Sequence, residues 1–437
     1  MAHRPVHYVL ITAGTAGDMY PLMSLARALQ QLGCKVTLMG PAFHAGMMRQ
    51  AALPFVELGT DADYLKVVNN PDIWHPSKGL RTLLENYSEQ LGQIRSALAA
   101  LAAQEPCIVI AHPLAMPAAA IVRENTPDMK LVAVYLAPSN LRTCHDPLTI
   151  GPLRVPPWVP MAWRGALWRL IEDKMIDPAA VPQVNAARLA AGLAPITSFI
   201  AHLASAPDLS VALFPSWFAP PCPDWPQPLR MGDFQLFDPS AGQALPGELT
   251  DFLAQGEKPI VFTPGTGHVH AAAYFQSAMK AVTRMGRRAI FLTRCREQIP
   301  AVLPETILWQ PYVALANLLP QAAALVHHGG IGTTAEALRA GVPQLVVPFA
   351  WDQFDNGARV STLGVGSVLP ASRLSTRALA RKLHNILSSS TMHAQCRAVA
   401  AHFKHSDGAA RLCREIENAL AIAPDETSNP LRVLQDA

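Results

Sequence analysis

Twice along the chain an apolar run of strand length ends in a glycine turn and gives way to residues with helical spacing. No other feature constrains the fold as much. The first block opens with "HYVLITAG" at 7–14, continues with "PLMSLARALQQLG" at 21–33 and returns as "CKVTLMG" at 34–40. In the middle piece Leu22, Leu25, Ala26 and Leu29 share one face, and Gly33 suits the position just past a helix end. A strand–helix–strand unit of this length requires a crossover, and so a parallel sheet. "PCIVIAH" and "KLVAVYLAP" extend the series, with helical material over 97–103 and 118–123. The order restarts at "KPIVFTPGTG" (258–267) and runs through the helix 272–286, the strands 287–293 and 306–313, then "AALVHHGG", "TTAEALRAG" and "PQLVVPFA".

Between the blocks, from about His145 to Pro246, proline and tryptophan accumulate. "FPSWFAPPCPDWPQPLRMGDF" does not allow long regular structure. The expected organisation is therefore α/β throughout. An N-terminal unit covers 1–215, a connector 216–245, a second unit 246–405 and a closing segment 406–437. Two such units face to face form a cleft, and ligands of doubly wound sheets sit at the carboxyl ends of strands.

Composition narrows the function classes. Half of the 437 residues are hydrophobic and 15% are charged, so large cores are expected and disorder is not. A net charge of +3 is too small for a nucleic-acid footprint. The seven cysteines are scattered without a CxxC, which fits a reduced cytosolic chain. The apolar run at 6–11 is shorter than a secretory h-region, and no uninterrupted run approaches the roughly 20 residues of a membrane span. The expectation is a cytoplasmic protein without an integral anchor.

The second glycine turn, "HHGGIGTTAEALRAGVP" at 327–343, carries chemistry. Glycines let the backbone approach a ligand, and the first amides of a helix are unpaired and electropositive. His327 and His328 add donors, and Thr333 and Thr334 add hydroxyls. The combination suits a diphosphate. No lysine stands where a P-loop requires one, whereas Gly330 to Ala335 fits the looser GxGxxA dinucleotide form, with Asp352 at the acidic position. A dinucleotide site thus stays open beside a purely structural turn. Asp352 and Gln353, just past the next strand, form a carboxylate–amide pair able to hold sugar hydroxyls. Asp18, after the first glycine turn, is a candidate general base; the alternative is an N-cap for a helix starting near Tyr20. His268 and His270 with His327 and His328 lack companions at zinc spacing, so no metal is expected. Over 161–176, Trp163, Leu167, Leu170 and Ile171 share a face, with Trp168 beside them. They suit core packing, an apolar acceptor wall or a membrane contact.

The stretch "HHGGIGTTAEALRAGVPQLVVPFAWDQFDN" resembles the donor-binding signature of the UDP-glycosyltransferase superfamily. "TAGTAGDMYP" at 12–21 is similar to the N-terminal motif of its bacterial and sterol-type members. Within the superfamily, "LFPSWFAPPCPDWPQPLRMGDFQLFD", "PDIWHP" and "LWRLIEDKMID" resemble the rhamnosyltransferases of rhamnolipid biosynthesis, although a second histidine at 328 is commoner among glucosyl-transferring members. The resemblance implies a GT-B fold of two facing Rossmann-like domains, with acceptor in the first, sugar nucleotide in the second and a C-terminal helix crossing back from about Ser406. It places His328, Gly330, Gly332, Thr333, Thr334 and Thr266 on the diphosphate, Glu336 on ribose, and Tyr312 and Val313 at the base. It places Asp352 and Gln353 on the sugar and makes Asp18 the base of an inverting, metal-independent transfer. The implied donor is dTDP-L-rhamnose, with UDP-glucose the rival, and no further cofactor. The implied acceptor is a 3-(3-hydroxyalkanoyloxy)alkanoate, against a Trp163, Leu167 and Trp168 wall. A lipid, sterol, carotenoid or polyketide acceptor and a non-catalytic nucleotide-sugar-binding protein are the alternatives.

Overall fold

The computed structural model describes residues 6–75, 77–85, 87–146, 149–265, 271–405 and 408–420. Strands β1 (His7–Ile11), β2 (Lys35–Pro41), β3 (Phe55–Leu58), β4 (Cys107–Ala111) and β5 (Lys130–Tyr135) belong to the first domain. A small antiparallel hairpin, β6 (Thr149–Ile150) with β7 (Leu153–Arg154), follows. Two more strands, β8 (Leu209–Ala212) and β9 (Leu229–Met231), complete a seven-stranded parallel sheet in the order β3-β2-β1-β4-β5-β8-β9. The second domain holds β10 (Ile260–Thr263), β11 (Ala289–Leu292), β12 (Ile307–Gln310), β13 (Ala324–His327), β14 (Gln344–Val346) and β15 (Gly366–Val368), in the order β12-β11-β10-β13-β14-β15, also parallel. Helices cover both faces, so the central strands are buried on two sides and read as continuous apolar runs.

In each sheet the winding direction reverses beside the first strand, between β1 and β4 and between β10 and β13. The strand ends there are in register: Ile11 pairs with Ala111, and Thr263 with His327. Whatever follows these strands hangs over a crevice where doubly wound sheets bind ligands. Asp18 and His112 follow β1 and β4; Gly265 and the glycine turn follow β10 and β13.

Two local expectations are corrected and two are met. The first helix runs over Ala16–Gln31 and not from Tyr20, because Asp18 accepts from the Thr15 amide at 2.7 Å and from its hydroxyl at 3.2 Å. That closes the first turn four residues earlier, with Asp18 at its third position and Pro21 inside the helix. The helical spacing read over 161–176 is met and extended, while the proline-rich stretch 214–234 holds only the short strand β9. Met161–Ile171, a π-turn and Asp177–Ala190 form one long helical run. The expected connector also begins within the first domain, since β9 pairs with β8. Finally, the helix Gly408–Ala419 packs on the first helix: Leu412, Cys413 and Ile416 join Leu22, Leu25 and Leu29 in one cluster, and Tyr8 donates to Glu417 at 3.1 Å. Residues 421–437 of the closing segment lie outside the described residues.

Candidate active site

One cavity of about 780 Å³ opens between the domains. From the first domain come Asp18 and His112. Asp18 keeps one oxygen on Thr15, and its other oxygen lies 4.0 Å from His112 Nε2. Gly14 permits this, since a Cβ there would sit 2.0 Å from Asp18 Oδ2. His112 Nδ1 accepts from the Leu114 amide at 3.3 Å, so the ring proton resides on Nε2 and points toward Asp18. Burial pushes the His112 pKa down, against the opposing pull of Asp18.

From the second domain comes the helix Ile331–Ala340, with Gly330 at its N-cap. Gly330 and Gly265 enclose the His328 ring; a Cβ on either would stand within 2.6 Å of it. Gly332 and Thr333 open onto the cavity in the first turn, where amides have no intrahelical partner. The Ile331 amide donates to Asp352. Asp352 also accepts from Asn356 Nδ2 at 2.7 Å. Burial first, then the charge of Asp18 across the cleft, push the Asp352 carboxyl up to about 7. The residue before it, Trp351, has a left-handed backbone (φ 58°), which a bulky side chain rarely adopts. Its ring reaches toward Gly79 of the first domain.

At the far end Tyr312 and Val313 line the cavity. Tyr312 donates to Asp238 and meets Tyr20 of the first helix at 3.4 Å, while the Arg294 guanidinium lies 5.1 Å from its ring centre. Glu336 lines the cavity too, paired with Arg339; burial raises its pKa.

Not every expected site residue reaches the cavity. Thr334 is fully buried off the lining, and its amide serves Gly330. His327 points into the core with Nε2 on Gln344 at 2.9 Å, and burial pushes its pKa down to about 4, so it is a neutral structural histidine. Gln353 lines the cavity, but its carbonyl oxygen already accepts from the Phe349 and Ala350 amides at 2.8 and 3.0 Å, which leaves only the NH2 for a ligand. Thr266, with His268 and His270, lies outside the described residues.

The acceptor wall is corrected outright. Trp163, Leu167 and Trp168 do not line the cavity; Trp163 is 72% exposed, and Trp168 donates to the Thr143 carbonyl at 2.8 Å. The apolar wall comes instead from Leu58, Tyr64, Val67, Ile73, Trp74 and Leu83. The sequence analysis singled out neither Arg294 nor His112. The usable signal was their place directly after β11 and β4, the same signal that singled out Asp18.

Residues 8–122 match the family described as the Glycosyltransferase family 28 N-terminal domain. Residues 277–418 match the Erythromycin biosynthesis protein CIII-like, C-terminal domain. The O-mycaminosyltylonolide 6-deoxyallosyltransferase of Streptomyces fradiae is 28% identical, over 93% of this chain and 96% of its own. A sterol 3-beta-glucosyltransferase of Arabidopsis thaliana is 25% identical, over 98% of this chain and 68% of its own. The solved structure of a spinosyn rhamnosyltransferase complexed with thymidine diphosphate superposes with a TM-score of 0.66 at 16% identity, covering 94% of this chain and all of that one. Two facing Rossmann-like sheets around one cleft are the GT-B architecture. Within that architecture the chain is a glycosyltransferase.

Proposed function

We propose that the chain is an inverting transferase that moves a sugar from a nucleoside diphosphate to a hydroxyl of an apolar acceptor. The donor of first choice is dTDP-L-rhamnose and the acceptor a 3-(3-hydroxyalkanoyloxy)alkanoate. One observation carries the reading: a carboxylate, Asp18, and the open amides of Gly332 and Thr333 line one cavity from opposite domains. The diphosphate rests on those amides, with the helix dipole and His328 stabilising the charge that develops on it. Asp352 and the Gln353 NH2 face the sugar, and Tyr312 and Val313 face the base. Asp18 takes the proton of the acceptor hydroxyl as the oxygen attacks the anomeric carbon. The bond from that carbon to the phosphate oxygen breaks, the electron pair leaves with the diphosphate, and configuration inverts. Thr15 holds the Asp18 carboxylate through its amide and hydroxyl, and His112 Nε2 faces the other carboxylate oxygen at 4.0 Å. The charge that develops on the diphosphate is met by the helix amides, the His328 ring and the Arg294 guanidinium, and the proposed transfer uses no metal.

The Streptomyces fradiae relative, named for a 6-deoxyhexose, and the thymidine diphosphate in the spinosyn enzyme support a deoxysugar on a thymidine carrier. The wall of Leu58, Val67 and Trp74 supports an apolar acceptor. UDP-glucose to a sterol-like acceptor is the second reading, favoured by His328 and by the plant relative. Exposed Leu153, Trp158 and Trp163 support a peripheral contact with a membrane surface. Thermal-shift and donor-hydrolysis panels with dTDP-rhamnose, UDP-glucose and NAD test the donor. Stabilisation by UDP-glucose alone refutes rhamnose, and no response to either sugar nucleotide refutes the donor site. Product mass spectrometry on lipid extracts tests the acceptor.

A further inference from the structure

We propose that Asn356 is a positioning residue: it ties Asp352, the carboxylate facing the donor sugar, to the backbone of the glycine turn, so that sugar reading and diphosphate cradling are assembled as one piece. The inference rests on the donor reading above.

Asn356 stands one helical turn after Asp352, in the helix Gln353–Thr362, and is fully buried. Its NH2 makes two bonds, to the Gly329 carbonyl at 2.9 Å and to Asp352 Oδ2 at 2.7 Å. Its own amide donates to the Asp352 carbonyl at 2.9 Å. The far anchor cannot slide. Gly329 has φ 98°, and a Cβ there would lie 2.6 Å from Val346 Cγ1 and 2.9 Å from the Gln353 carbonyl oxygen. The amide orientation is forced as well, because a flipped side chain would set its oxygen against two acceptors. Packing alone would be met by leucine. A buried amide with both protons on acceptors is costly unless those acceptors need it.

Asp352 needs it for a reason visible in its surroundings. Asp18 faces it from the first helix, with His112 behind at 4.0 Å. Asp355 lies on its own helix, paired with Arg359 at 2.8 Å, and His328 belongs to the turn. Against burial and Asp18, the bonds from Asn356 and the Ile331 amide favour the charged carboxylate. A charged carboxylate is what accepts from a sugar hydroxyl.

The test compares dTDP and UDP with dTDP-rhamnose and UDP-glucose by calorimetry from about pH 5.5 to about 9, in the full chain and in Asn356→Ala. In the native protein the extra affinity conferred by the sugar grows as pH rises through about 7, where the Asp352 carboxyl titrates. In the variant that midpoint moves up by about one unit, as loss of one charge-assisted bond requires. A packing role instead lowers sugar-nucleotide and nucleotide affinity together and leaves the midpoint in place, which overturns the proposal. If the native protein shows no sugar-specific pH dependence, the donor reading of Asp352 fails and takes the proposal with it. Should the alanine variant not fold, Asn356→Asp, nearly isosteric, decides: its added negative charge moves the midpoint further up, and an unmoved midpoint refutes the tie.

Discussion

Gly332→Ala separates what the chain needs from what a ligand needs. The three glycines of the turn differ in physical cause. Gly329 has a left-handed backbone and no room for a Cβ, and a Cβ at Gly330 would stand 2.5 Å from His328 Nε2. At Gly332 a Cβ would meet nothing within 4 Å, in an ordinary helical turn that opens onto the cavity. For the free protein alanine is therefore the better residue there. Helix propensity alone is worth about 0.5–1 kcal/mol. That corresponds to a rise of about 1–4 °C in Tm for a domain of this size. With ligand present the sign reverses, because the methyl group projects where a phosphate must approach the amides of Gly332 and Thr333. Loss of close approach is expected to cost at least about 1.4 kcal/mol, a tenfold rise in Kd for dTDP or UDP. Thermal unfolding of the free protein and calorimetric titration with both nucleotides read the two effects separately. A lowered Tm would show that the Cβ position is crowded. An unchanged nucleotide affinity would show that no phosphate rests on this turn, and the reasoning would fail.

Asp18→Asn keeps an acceptor for Thr15, so stability should fall by no more than about 1 kcal/mol. Turnover should fall by about two to four orders of magnitude with donor still bound. Removal of the Asp18 charge should also lower the pH at which sugar affinity rises, from about 7 downward; unchanged turnover would remove Asp18 from the mechanism. Arg294→Ala should weaken dTDP and UDP by about tenfold and flatten the salt dependence of binding, because it is the cation beside Tyr312 in an otherwise carboxylate-rich cleft. An unchanged salt dependence would place its charge away from the phosphates. Trp74→Ala should raise the acceptor KM about tenfold or more, whereas Trp158→Ser with Trp163→Ser should leave a water-soluble acceptor unaffected and lower co-sedimentation with anionic vesicles. The opposite pattern would return the acceptor to the Met161–Ile171 helix.

Why some of this was legible and some not follows from what each signal depends on. Strands such as 7–11 and 324–327 are buried on both faces, so the hydrophobic effect writes them as unbroken apolar runs that need no neighbours to be recognised. The glycine turn was legible for a similar reason, since a backbone turned toward a ligand must be written in glycine. Helix starts depend on local bonds instead. The sequence puts the start near Tyr20, but Thr15 and Asp18 close the turn earlier, and Pro21 is carried within the helix. The acceptor wall depends on neither. Its residues come from Leu58 at the end of β3 and from short helices over 61–85 whose spacing resembles any packed surface, and they become a wall only because the second domain stands opposite. The stripe over 161–171 had the stronger periodic pattern, yet the fold turns Trp163 and Leu170 to solvent, because periodicity reports a shared face and not what that face meets. His112 and Arg294 mark the middle ground. Each is a single polar residue that no motif contains, but each follows a strand of a doubly wound sheet, and the apolar run that precedes it is enough to mark it as a strand-end residue. Applied evenly, the rule that selected Asp18 selects His112 as well, because β1 and β4 flank the crossover reversal and their ends must share one crevice.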